Sequence, residues 1–179
     1  MRNILIVVDM QKDFVTGALA SAEAQAILPE VMAKISEYDR AGKEIIFTRD
    51  THGEDYMQTN EGKHLPVPQC IKGTDGWKIC SELTDGVTSE YKTVDKPTFG
   101  FLGWKDVLAS ETADGSDLDI EMIGVCTDIC VVSNALILKA LYPEATVRVD
   151  AGCCAGVTPE AHAAALATMR SCQVDIIDK

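Results

Sequence analysis

The sequence predicts a three-layer α/β fold built on a mainly parallel sheet. Three observations predict it. Strand-length apolar runs alternate with helical segments from one end to the other. The first run, Arg2–Val8, is apolar without polar alternation, as a strand buried on both faces must be. The segments between runs are long enough to cross over a sheet, which parallel pairing requires.

The elements follow in order. Arg2–Val8 is the first strand. Ser21 to Arg40 carries helical spacing at Ile27, Val31, Ile35 and Tyr38 and stops at Gly42. Glu44–Thr48 is a second strand. Arg49 to Trp77 shows no period and is punctuated by Gly53, Gly62, Pro66, Pro68, Gly73 and Gly76. A loop this long in a compact domain is usually functional. Glu90–Asp95 reads as a strand and Gly103–Ser110 as a short helix. Asp119–Val125 is a strand, Asp128–Leu141 a helix closed by Tyr142-Pro143, and Ala145–Val149 a strand. Thr158 caps a helix with Pro159 at its first position. Val174–Ile177 is the last strand. With no repeat, linker or low-complexity tract, residues 1–179 read as a single domain.

Composition narrows the function. The net charge is −12, which repels phosphate backbones and anionic lipid and argues against nucleic-acid or membrane partners. Met1-Arg2-Asn3 runs directly into an apolar stretch too short for a signal core or membrane span, so a cytoplasmic chain is expected. Its seven cysteines are then reduced thiols: buried hydrophobes, ligands or nucleophiles.

Open parallel sheets bind ligands beyond the carboxyl ends of their strands. Asp9, Gln11, Asp13 and Phe14 follow the first strand, and Asp50 and His52 the second. Lys96 follows the third, and Cys126-Thr127-Asp128-Ile129-Cys130 the fourth. Singly, each has an ordinary role: a packed thiol, a strand-end cap, a solvated lysine. Together they place a carboxylate, an ammonium and a thiol on one edge. Cys130 falls in the first turn of its helix, where unpaired N–H groups favour a thiolate, lower its pKa and can hold an oxyanion. Asp9 can accept the thiol proton, and Lys96 adds a cation. Asp50 and His52, two residues apart, can ligate a divalent metal, although spacing alone favours a polar loop with one exposed histidine.

Asp9-x-Gln11-x-Asp13-Phe14, Lys96 and Gly124-Val125-x-Thr127-Asp128-x-Cys130 together resemble the isochorismatase-like cysteine hydrolases. That superfamily includes nicotinamidases, isochorismatases and N-carbamoylsarcosine amidases. The likeness spans nearly the whole chain in order and spacing. It implies a six-stranded parallel sheet and a triad of Cys130 (nucleophile), Asp9 (base and acid) and Lys96 (thiolate-stabilising cation). It also implies a cis peptide between Val125 and Cys126, oxyanion donors from the N–H groups of Cys126 and Cys130, and no organic cofactor. Within the nicotinamidases it implies a divalent metal (zinc, iron or manganese) on Asp50 and His52, with Glu61 as an added carboxylate, holding the pyridine nitrogen of the substrate.

Two positions depart from that pattern. Gln69 stands where a second histidine is usual, with His64 five residues earlier as a substitute ligand. Leu65 stands near a usual aromatic, leaving Phe14 and Phe99 as substrate-binding walls. The expectation is an amidohydrolase acting on nicotinamide or a related small amide through a thioester, in a homo-oligomer as is common in the superfamily. A metal-independent hydrolase of another small substrate and a silent scaffold of the same fold are the alternatives. The intact triad opposes the scaffold. His162 is expected at the surface or in packing, and Cys153, Cys154 and Cys172 in or near the core.

Overall fold

In the computed structural model, which describes residues 1–177, six parallel strands form one sheet in the order β3-β2-β1-β4-β5-β6. They are β1 (Arg2–Val8), β2 (Glu44–Asp50), β3 (Lys92–Lys96), β4 (Leu118–Val125), β5 (Thr146–Ala155) and β6 (Asp175–Ile177). Asp178 and Lys179, the end of the expected 1–179 domain, lie outside the described residues. The helices are α1 (Lys12–Val15), α2 (Ala22–Ala26), α3 (Leu28–Arg40), α4 (Asn60–His64), α5 (Trp104–Leu108), α6 (Val132–Leu141) and α7 (Pro159–Ser171). Among the described residues, no helix is long and apolar enough to cross a membrane.

Alternate residues of the strands feed two separate cores. Leu5, Val7, Ile45 and Phe47 pack with Val31, Ile35 and Tyr38 of α3 on one face. Ile4, Ile6, Val8 and Ile46 pack on the other with Trp104, Ala135, Leu138, Leu166 and Met169 of α5, α6 and α7. Burial on both faces is why β1 reads as an apolar run, while β4 keeps two buried acids, Asp119 and Glu121, paired with Arg148 at 2.6 Å and Lys34 at 2.7 Å.

The expected element boundaries move at several places, each for a local reason. The Ser21–Arg40 helix is two helices. Pro29 sits in the first turn of α3, where it removes an N–H and its ring blocks continuation from α2. Ser21 caps α2 by accepting from Ala24 N at 3.0 Å. The strand expected at Glu90–Asp95 is β3, shifted to Lys92–Lys96, and the helix expected at Gly103–Ser110 is α5. The Arg49–Trp77 segment contains α4 and a 3₁₀ turn at Tyr56–Gln58.

The strand expected at Ala145–Val149 extends to Ala155. The ladder resumes at Gly124↔Cys154 and Val125↔Ala155 after a register shift between Met122 and Gly124. Lys34 Nζ lies 3.0 Å from the buried Asp150, which lets a polar residue continue the strand. The last strand is the shorter β6. Thr158 caps α7, its Oγ1 accepting from Ala161 N at 3.1 Å, with Pro159 in the first turn as expected.

The topology sets the position of the site. From β1 the chain winds outward through β2 to β3, then returns to place β4 on the other side of β1. The carboxyl ends of β1 and β4 therefore flank the switch point, where an α/β sheet opens a crevice.

Candidate functional site

β1 delivers Asp9 to the switch point, and Asp9 itself is bent into the left-handed region at φ 48°. A non-glycine residue holds that conformation only where its surroundings fix it. Thr48 of β2 fixes it twice. Its Oγ1 accepts from Asp9 N at 3.1 Å and donates to Asp9 Oδ1 at 2.6 Å. Asp50 and Lys96 are the last residues of β2 and β3, paired across the ladder, and not loop residues beyond the strands as expected. Inclusion in the ladder holds both side chains rigidly toward the same point.

Cys130 arrives by a different local device. The turn after β4 is a π-helical turn at Thr127–Val131, and α6 begins only at Val132. Val131 N donates to Cys126 O at 3.1 Å, a bond spanning five residues. Such widened turns occur mostly at functional sites. The expected Asp128–Leu141 helix is therefore two pieces, with Cys130 in the widened one. The peptide joining Val125 to Cys126 is cis, as the resemblance implied.

Lys96 lies at the centre. Its Nζ is 2.6 Å from Asp9 Oδ2, 3.2 Å from Asp50 Oδ1 and 3.5 Å from Cys130 Sγ. Lys96 and Asp9 are fully buried, and Cys130 is nearly so. Burial works against the Lys96 charge, but the carboxylates of Asp9 and Asp50 beside it outweigh this and hold the ammonium above its ordinary value. Burial raises Asp9 above 3.8, opposed by Lys96 and aided by Asp50. Burial also pushes the Cys130 thiol well up, and the charge on Asp9 adds to it while Lys96 opposes. The expected low thiol pKa is thus corrected: burial raises it where the helix start alone would lower it. The raised carboxylate of Asp9 is correspondingly a better proton acceptor than an ordinary aspartate.

The second cluster adjoins the first through Asp50. His52 is buried, not exposed as spacing alone suggested. Its Nε2 lies 3.0 Å from Asp50 Oδ2 and 3.5 Å from Glu61 Oε1. One ligand atom from each of these three residues lies within 4.8 Å of the others. Burial lowers the His52 pKa, but the hydrogen bonds to Asp50 and Glu61 carry it to about 9. Asp50 is raised by burial and lowered more by His52 and Lys96. Two carboxylates converging on one imidazole nitrogen suit a divalent cation, so the residues present fit one. Gln69 joins the group, its amide 2.9 Å from His52 Nε2. His64 does not. It is exposed on α4, its Nδ1 bonded to Asn60 O at 2.8 Å, which rules it out as the substitute ligand in this arrangement.

Both clusters open into a cavity of about 270 Å³, near the lower end for small-molecule sites. Cys130, Cys126, Asp50, Glu61 and Gln69 line one part, and Phe14, Phe99 and Leu65 line the apolar remainder. Burial lifts the Cys126 thiol to about 12, with Asp128 and Asp9 adding to the rise and Lys96 opposing it.

The other residues of the first motif brace the site. The Gln11 amide donates to Asp50 O at 2.9 Å and accepts from Asp50 N at 2.7 Å. Asp13 Oδ2 accepts from Cys70 N at 2.7 Å, fixing the backbone beside Gln69.

Sequence reasoning missed three further braces. Thr48 could have been found by its place opposite β1. Buried Asn134 makes four hydrogen bonds, donating to Cys130 O and Phe99 O and accepting from Phe101 N and Trp104 Nε1. An amide four residues after Cys130 in an apolar helix was its signal. Asp128, quoted in the cysteine motif without a role, accepts through Oδ1 from Val157 N at 2.9 Å. His162, half-buried in α7, meets Thr127 Oγ1 at 2.8 Å. Cys153 and Cys154 are core thiols as expected. Cys172 is exposed at the end of α7, against expectation, because it follows the last turn that faces the sheet.

The Isochorismatase domain model matches residues 3–179. A nicotinamidase/pyrazinamidase of Mycobacterium tuberculosis is 26% identical over 196 residues, covering 97% of each chain. The solved nicotinamidase/pyrazinamidase of Bacillus subtilis superposes with a TM-score of 0.85 at 21% identity, over 99% of this chain and 100% of that one. The pyrazinamidase of Pyrococcus horikoshii, solved in complex with zinc, superposes with a TM-score of 0.79 at 27% identity over the full length of both. Domain match and shared architecture agree: the chain belongs to the isochorismatase family and is a hydrolase.

Proposed function

We propose that the protein is a cysteine-dependent amidohydrolase that converts nicotinamide, or a closely related aromatic amide, to the acid and ammonia. The observation that carries this reading is the grouping of Asp9, Lys96 and Cys130 around one buried ammonium at the switch point, beside the Asp50–His52–Glu61 cluster. The nicotinamidase and pyrazinamidase names of the relatives support the substrate class.

Asp9 takes the Cys130 proton as the thiolate attacks the amide carbonyl. The N–H groups of Cys126 and Cys130 receive the oxyanion. Lys96 holds the negative charge on sulfur and on Asp9 in a site without water to do so. Asp9 then returns the proton to the departing amine, leaving a thioester on Cys130. Asp9 next deprotonates a water that cleaves the thioester, and the protonated Asp9 restores the thiol. Phe14 and Phe99 enclose the ring. Asp50, His52, Glu61 and Gln69 would hold a divalent cation, which supplies a Lewis acid for a ring nitrogen.

A second reading, a metal-independent hydrolase of another small substrate, is favoured by Gln69 standing where an imidazole would bind zinc better. Ammonia release from a panel of aromatic and aliphatic amides, with and without Zn²⁺, Mn²⁺ or Fe²⁺, separates the two. Metal-dependent turnover of nicotinamide supports the first. Turnover only of other substrates, unaffected by metal, supports the second.

A further inference from the structure

Gln69 is buried, at 2% exposure, and its Oε1 has no hydrogen-bond partner. Its Nε2 lies 2.9 Å from His52 Nε2 and 3.4 Å from Glu61 Oε1. His52 Nε2 already faces Asp50 Oδ2 at 3.0 Å and Glu61 Oε1 at 3.5 Å. An imidazole nitrogen carries at most one proton. It cannot donate to two carboxylates and also accept from an amide, so hydrogen bonding alone leaves this group frustrated. An orphaned buried carbonyl beside it adds a further cost.

A cation resolves both problems. Donor atoms about 2.1 Å from one ion lie roughly 3.0 Å apart at right angles and roughly 3.4 Å apart in a tetrahedron. The separations from His52 Nε2, 2.9 to 3.5 Å, and that between Gln69 and Glu61, 3.4 Å, span that range. A half-turn of the Gln69 amide exchanges Nε2 and Oε1 with almost no change of shape and places the carbonyl oxygen among the donors. The backbone need not move. Cys70 N is held by Asp13 and Cys70 O accepts from His52 N at 3.0 Å, so Gln69 is presented from a fixed segment.

We propose that Gln69 is a ligand through Oε1, and that the resulting set of three oxygens and one imidazole nitrogen shifts the site's preference from Zn²⁺ toward a harder ion such as Mn²⁺. This rests on Asp50, His52 and Glu61 forming a metal site. Imidazole suits zinc, while carboxylate and carbonyl oxygens suit manganese. Zinc binds most donor sets more tightly in absolute terms, so the signature is the ratio of the two affinities.

The test is chelator-competition titration of Zn²⁺ and of Mn²⁺ into the full chain and into Gln69→His, Gln69→Leu and Asp50→Ala. Gln69→His raises the zinc-to-manganese affinity ratio by about tenfold or more, and Gln69→Leu weakens Mn²⁺ by about tenfold or more. Asp50→Ala weakens both ions. Unchanged affinities in both Gln69 variants, with Asp50→Ala still damaging, overturn the role of Gln69 and leave the metal site standing. Unchanged affinities in Asp50→Ala overturn the metal site itself, and the proposal with it.

Discussion

Gly124→Ala joins the fold to the chemistry in one substitution. Gly124 is the penultimate residue of β4, opposite Val8 of β1, at φ +114°, a conformation that side chains rarely adopt. A Cβ there would stand 2.2 Å from Val8 O, against 3.4 Å for an ordinary contact. The two backbones must separate by about 1 Å, and neither is a flexible side-chain end. Val8 precedes Asp9, and Gly124 leads into the Cys126–Cys130 turn, so the separation acts directly on the distance between Asp9 and Cys130. A misplacement of about 1 Å costs on the order of 10²-fold in rate. The backbone strain alone costs about 1–3 kcal/mol. At roughly 2–4 °C per kcal/mol for a domain of this size, the melting temperature falls by about 2–12 °C. Thermal denaturation followed by circular dichroism and kcat/KM for ammonia release give the two readouts. A melting temperature within about 1 °C and a kcat/KM within about twofold of the parent would refute the reasoning.

Three other outcomes follow from named contacts. Lys96→Met leaves Asp9 and Asp50 buried without their cation and destabilises the protein by about 3–5 kcal/mol in chemical denaturation; a loss under about 1 kcal/mol would contradict the central placement of Lys96. Burial raises the Asp9 carboxyl above 3.8, and only its ionised form can accept the thiol proton, so kcat/KM rises with pH through a midpoint above 3.8; a midpoint at or below that value would contradict the assignment. Asp39 is held at about 2 by hydrogen bonds from Ser89 and Thr88. The depressed value means that its stabilisation is present above the ordinary 3.8 and lost as pH falls through about 2, so Asp39→Ala is more destabilising at pH 7 than at pH 2; equal denaturation midpoint shifts at both would count against it.

Much of this was legible in the chain because two simple signals coincide. Residues buried on both faces make β1 a largely apolar run and leave β4 apolar apart from Asp119 and Glu121, and chemistry then collects after them by topology. Asp9, Lys96 and Cys130 could therefore be grouped from order alone. Geometry finer than the hydrophobic period could not be read. The π-helical turn at Thr127–Val131 has the same apolar pattern as an ordinary helix start. Whether Gln69 or His64 turns inward depends on how α4 and the Leu65–Gln69 segment fold back, and no period records that. The helix position of Cys130 suggested a lowered thiol pKa, but the sequence carried no measure of how completely the sheet and α6 bury it. Pro29 was visible and marked the break between α2 and α3, yet the apolar spacing from Ile27 to Tyr38 concealed it.

The claim that Cys130 is the nucleophile is tested most directly by trapping its acyl intermediate. The protein is mixed with nicotinamide and a divalent metal, quenched in acid within the first turnover, and digested for peptide mass spectrometry. The account predicts a nicotinoyl thioester on the peptide containing Cys130, and neither adduct nor ammonia from Cys130→Ala. Ammonia released at the parent rate by Cys130→Ala would contradict it.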